Sequence, residues 1–87
     1  MSLDQKFEEA AESVRSITKR PTDGEFLELY GLFKQSTVGK VNTPKPNALD
    51  LKGKAKWDAW QSREDMTQND AKEAYIECAN TLLAKYK

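Results

Sequence analysis

Proline stands only at positions 21, 44 and 46, and between and beyond these breakers the apolar residues mostly return at intervals of three and four. Proline lacks an amide donor and clashes with the preceding turn, so it bounds helices instead of sitting inside them. No stretch keeps the sustained alternation that a half-buried strand requires. The chain is thereby confined to helices joined by loops. Leu3, Phe7, Ala10, Ala11, Val14 and Ile17 make one stripe, which predicts a helix over residues 3–17. Ser2 with Gln5 resembles a capping box at its start, and Pro21 bars its continuation. Thr22 and Glu25 repeat the capping pattern. Phe26, Leu29, Tyr30 and Phe33 follow, with Leu27 on a neighbouring stripe, and predict a second helix over 23–38. Gly39 stands where a left-handed C-terminal cap is wanted.

Residues 39–52 hold Pro44, Pro46 and Asn47 and have no period. They predict a long loop, either a plain crossover or a functional segment. Ala55, Trp57, Ala59 and Trp60 predict a short helix over 53–64. Thr67 with Asp70 opens a fourth helix, whose apolar face (Ala71, Tyr75, Cys78, Ala79, Leu82, Leu83 and Tyr86) runs to the C-terminus. The expectation for residues 1–87 is one all-α domain, a four-helix bundle with a long loop between helices two and three.

Three absences narrow the function. The 87 residues include no histidine, the side chain best suited to proton transfer near neutral pH. Cysteine occurs once, as Cys78, so no intramolecular disulfide is possible, and the thiol has no evident activating partner. No apolar run approaches a membrane span, and Met1–Lys6 lacks the apolar stretch of a signal peptide. The chain is expected to be a cytoplasmic monomer, not an enzyme, with no cofactor, no metal and no stable membrane insertion.

The formal net charge of zero conceals an asymmetry. Between residues 34 and 56, Lys34, Lys40, Lys45, Lys52, Lys54 and Lys56 face the single acid Asp50, a net +5 that leaves −5 for the rest. Tyr30 and Lys34 are four apart, as are Lys52 and Lys56 if the third helix starts early enough. Lysines from two helices meeting beside a tyrosine would suit a ligand with several phosphates and an aromatic base. A solvated basic face with no ligand is the other reading. Nucleic acid is not expected, because the segment has no arginine and no binding motif. Gly31, inside the second helix, points to close helix packing or to close approach of a ligand.

Tyr30-Gly31-Leu32-Phe33-Lys34-Gln35-Ser36-Thr37-Val38-Gly39 resembles the "YG-x-(Y/F)-KQ-(A/S)-TVG" segment of the acyl-CoA-binding protein family, also called diazepam-binding inhibitor. Lys52–Trp60 resembles its "KGKAKWDAW" signature, and Tyr75-Ile76 the "YI" of its last helix. The resemblance implies an up-down-down-up bundle that binds, buffers and transports medium- and long-chain fatty acyl-CoA, with acyl-CoA-using enzymes as acceptors. It assigns Tyr30, Lys34 and Lys56 to the adenine and the 3′-phosphate, and Lys52 and Arg15 to further head-group contacts. Tyr75 matches a tyrosine near the head group. Leu27, Phe7 and Ala11 match apolar contacts, the last two weaker ones, as is Lys54. Gly31, Leu32 and Phe33 belong to the same binding run. The family often has glycine in the turn between helices three and four and after the second loop proline; here stand Arg63–Met66 and Asn47. The resemblance also carries an alternative, a helical protein-interaction or signalling module centred on Gln35–Lys52.

Overall fold

A computed structural model describes residues 2–86 and contains four helices: α1 (Leu3–Arg15), α2 (Asp23–Thr37), α3 (Leu51–Gln61) and α4 (Gln68–Lys85). Each starts on a side-chain cap. Ser2 accepts the Gln5 amide, Thr22 that of Glu25, Asp50 that of Gly53 and Thr67 that of Asp70. At α2 the bond is reciprocated, the Glu25 carboxylate accepting the Thr22 amide at 2.9 Å. Gly39 closes α2 with φ +93°, the left-handed cap its position predicts.

Cross-helix pairs give the topology. Lys72, in the first turns of α4, binds Asp4 of α1's first turn at 2.6 Å, so α1 and α4 run parallel. Lys85, at the far end of α4, binds Glu25 at the start of α2, and Gln68 donates to the Ser36 carbonyl near α2's end. The helices α2 and α4 are therefore antiparallel. Tyr30 lies against Lys56, and Lys34 against Trp60, so α3 runs with α2. The order is up, down, down, up. Phe7 and Ala10 of α1, Leu29 and Leu32 of α2, and Tyr75, Ala79 and Leu82 of α4 form the core. Helix α4 packs on both α1 and α2, whereas α3 packs on α2 alone.

Several expectations need correction. Helix α1 stops at Arg15, not 17, where the Ser16 amide and hydroxyl both turn back to the Ser13 carbonyl. Helix α3 occupies 51–61, not 53–64. Asp50 starts it early, and the Arg63, Glu64 and Met66 amides close it in successive three-residue turns. That sequence of turns needs no glycine. Among the described residues no non-glycine has positive φ, so Asn47, which stands where the family often has glycine, is not left-handed. Its side-chain oxygen instead accepts the Leu49 amide, and its carbonyl the Asp50 amide, which makes an Asx-type turn. Trp57 is only half-buried and donates to the Thr43 carbonyl, tying the loop back to α3. Phe26 is 45% exposed and stands outside the core.

Candidate functional site

Two grooves meet at Phe26. The first, of about 230 Å³, lies between α1, α2 and α4 and is walled by Ala11, Val14, Leu29, Tyr30, Phe33 and Tyr75, with Arg15 at its rim. Its floor is an aromatic cluster. Phe7 stacks on Phe33 with centroids 5.7 Å apart, and Tyr75 sits 5.0 Å from Phe7 and 5.9 Å from Phe33. Burial pushes the Tyr75 hydroxyl's pKa up from its ordinary value, so the group remains a neutral hydrogen-bonding handle in an apolar wall. A neighbouring cavity that shares Ala11, Arg15 and Phe33 with this groove reaches Phe7 and Thr37.

The second, a cleft of about 430 Å³, separates α2 from α3. Phe26, Leu27, Leu51 and Ala55 make its apolar lining, and Lys52, Lys56, Arg20 and Asp23 its charged edge. Because Asp50 starts α3 ahead of Lys52, Lys52 and Lys56 fall one turn apart on the face that lines this cleft.

The seam between grooves is a ladder of lysine–aromatic contacts. Lys56 Nζ lies 5.5 Å from the Tyr30 ring and 5.7 Å from the Phe26 ring. One turn further along both helices the polarity swaps: Lys34 of α2 lies 4.9 Å over Trp60 of α3. Trp60 is fixed by burial and by donating to the Gly39 carbonyl at 2.7 Å. Two ammonium groups from different helices thus flank one seam, each steadied by an aromatic face and, among the described residues, neither matched to a carboxylate within salt-bridge range.

Of the residues singled out from the sequence, the structure gathers Arg15, Leu27, Tyr30, Phe33, Lys34, Lys52, Lys56, Tyr75, Phe7 and Ala11 around these two grooves and their seam. It does not bring three others there. Leu32 is 2% exposed in the core and borders a depression on another face, with Glu28 and Cys78. Gly31 is buried where α2 touches the Ala59 carbonyl of α3, so helix packing, not ligand approach, accounts for it. Lys54 is two residues from both Lys52 and Lys56, about 200° around α3, and lines neither groove. Arg20, Leu51 and Ala55 join the gathered residues though no sequence motif assigns them to a site, and Phe26 joins them at a position that the family resemblance turns toward the acyl chain. The spacing of Phe26, four before Tyr30, was the available signal. Among the described residues no three of Cys, Asp and Glu converge in a way that could hold a metal ion.

The acyl-CoA-binding protein family's sequence model ("Acyl CoA binding protein") matches residues 4–79. The chain belongs to the acyl-CoA-binding protein family. The acyl-CoA-binding protein homolog of Drosophila melanogaster is 51% identical to it over 84 residues, 97% of this chain and 98% of that protein. Homolog 1 of Caenorhabditis elegans is 46% identical over 80 residues, covering 92% and 93%. Among solved members of the family, the crystal structure of Oryza sativa acyl-CoA-binding protein 2 superposes with TM-score 0.92 at 38% identity, covering 97% of this chain and 93% of that one. The Moniliophthora perniciosa structure gives 0.89 at 43% identity, covering 100% and 85%.

Proposed function

We propose that this protein binds and carries medium- and long-chain fatty acyl-coenzyme A as a cytoplasmic monomer, handing it to acyl-CoA-using enzymes without acting on it chemically. The observation that carries the reading is the Tyr30–Lys56 contact, which joins an aromatic groove to an apolar cleft under an ammonium group. The groove of Tyr30, Phe33 and Tyr75 suits a flat adenine. Lys34, Lys56, Lys52 and Arg15 suit phosphates, and Phe26, Leu27, Leu51 and Ala55 suit the acyl chain. Family membership favours this over a protein-interaction module, since the relatives are named for acyl-CoA binding. The chain has no histidine, and burial pushes the Cys78 thiol up to about 11, so neither ordinary base nor ready nucleophile is at hand. A single cysteine suits a reducing compartment.

Magnitudes divide the work between head and chain. Each buried methylene contributes roughly 0.8 kcal/mol. About ten of them supply on the order of 8 kcal/mol before ordering costs, whereas nanomolar binding needs about 12 kcal/mol. Lysines and aromatic rings must supply the remainder. Calorimetric titration of acyl-CoAs is expected to show affinity rising with chain length, with free coenzyme A far weaker. Tyr30→Ala and Lys34→Ala should each weaken binding roughly tenfold or more with helical content intact. A flat chain-length series, or full affinity in both variants, would defeat the proposal.

A further inference from the structure

At the entrance to α3 two leucines face solvent: Leu49 is 90% exposed and Leu51 75%. Single exposed leucines are ordinary on protein surfaces. Leu49, in the turn before α3, and Leu51, its first residue, flank Asp50 inside the most basic stretch of the chain. Lys40 and Lys45 precede them, and Lys52, Lys54 and Lys56 follow. The nearest acids in sequence are already engaged: Asp50 accepts the Gly53 amide at 3.0 Å, and Asp58 pairs with Lys45 at 3.6 Å. The α3 N-terminus adds the positive end of its dipole. The Asn47 side chain holds the Leu49 amide, so Leu49 is presented on a built turn.

We propose that this end of the molecule docks reversibly on an anionic lipid surface. Leu49 and Leu51 enter the headgroup–acyl boundary, and Lys40 and Lys52, on either side of them in the sequence, face the acidic headgroups. Charge complementarity sets the sign of the partner, since the segment from 34 to 56 carries net +5. Shape favours a bilayer over an acidic protein. Leu49 protrudes and lines none of the grooves around the site, so it presents a wedge and not a socket for a partner side chain. Penetration is shallow and reversible, because no helix among the described residues is long and apolar enough to cross a membrane. Leu51 and Lys52 also line the α2–α3 cleft, so a docked molecule turns the cleft's mouth to the bilayer. Only the use of this for loading rests on the acyl-CoA reading; the docking itself does not.

Cosedimentation with sucrose-loaded vesicles tests it, in the absence of acyl-CoA. One set is phosphatidylcholine alone, the other phosphatidylcholine doped with phosphatidylserine. Binding is expected only to the doped vesicles and is expected to weaken as salt is raised. Leu49→Gln should lower vesicle affinity about tenfold. The same variant should keep wild-type circular dichroism and wild-type acyl-CoA affinity in solution, because its side chain supports neither the core nor the grooves. Equal binding to both vesicle types, binding to neither, or a Leu49→Gln variant that binds like wild type would overturn the proposal. Retention on immobilised polyglutamate without vesicle binding would overturn it too, and would assign the surface to an acidic protein. Vesicle binding by a protein that fails to bind acyl-CoA would sink the proposed function and leave this inference standing.

Discussion

Replacing Gly31 by alanine reverses the usual effect of that substitution. Inside a helix, Gly→Ala normally stabilises by roughly 0.5–1 kcal/mol, because glycine loses more backbone entropy on folding. At Gly31 the added methyl meets the Ala59 carbonyl, whose carbon lies 2.8 Å away, with the Trp60 amide nitrogen at 3.4 Å. These are backbone atoms of α3, so no rotamer change relieves the clash and the two helices must separate. Overpacking of this kind costs about 1–3 kcal/mol. Set against the propensity gain, the net is a loss of about 0.5–2 kcal/mol. With a urea slope of roughly 1–2 kcal/mol per molar, the midpoint followed by circular dichroism should fall by about 0.3–2 M. Gly24→Ala is the control, since a methyl there meets nothing within 4 Å, and it is expected to raise the midpoint. If Gly31→Ala matches or exceeds wild-type stability, the account of the α2–α3 contact is wrong.

Two further outcomes follow from titratable groups. Lys85, Tyr86 and Thr22 all donate to the Glu25 carboxylate and hold its pKa at about 2, against an ordinary 4.5. A depressed carboxylate stabilises the fold above its unfolded value, and that contribution disappears as pH falls from about 4.5 to about 2. Glu25→Gln should therefore be less stable than wild type at pH 7, with the gap closing toward pH 2; a gap that is constant with pH would refute this in a thermal-melt series. Cys78, raised to about 11 chiefly by burial and next by Glu28, should alkylate far more slowly with iodoacetamide at pH 8 in the native protein than in denaturant. Equal rates would contradict its half-buried setting.

The helices were readable because their caps and apolar stripes are local features. Thr22 and Glu25 form a complete capping box, and Gly39 closes α2 as its position suggests. The start of α3 was not readable, because Leu51, Lys52 and Lys54 face cleft or solvent and carry no core-facing period. Asp50 fixes it, its side chain accepting the Gly53 amide and its carbonyl the Lys54 amide. The lysine–tyrosine convergence could be expected from spacing, but its form could not. That Lys56 lies over Tyr30, and Lys34 over Trp60, depends on the parallel register of two helices separated by a 13-residue loop. Leu32 and Phe33 look equally available within the motif. One step around α2 sends Leu32 into the core while Phe33 forms part of the groove wall.

Among the described helices α3 packs on α2 alone, and that has a kinetic corollary. An element fastened along one edge can loosen while the three-helix remainder stays assembled. A guest lodged in that edge would act as a temporary staple, making the occupied carrier stiffer than the empty one. Departure of the guest would then need only a brief slackening of one short helix, not the opening of the core.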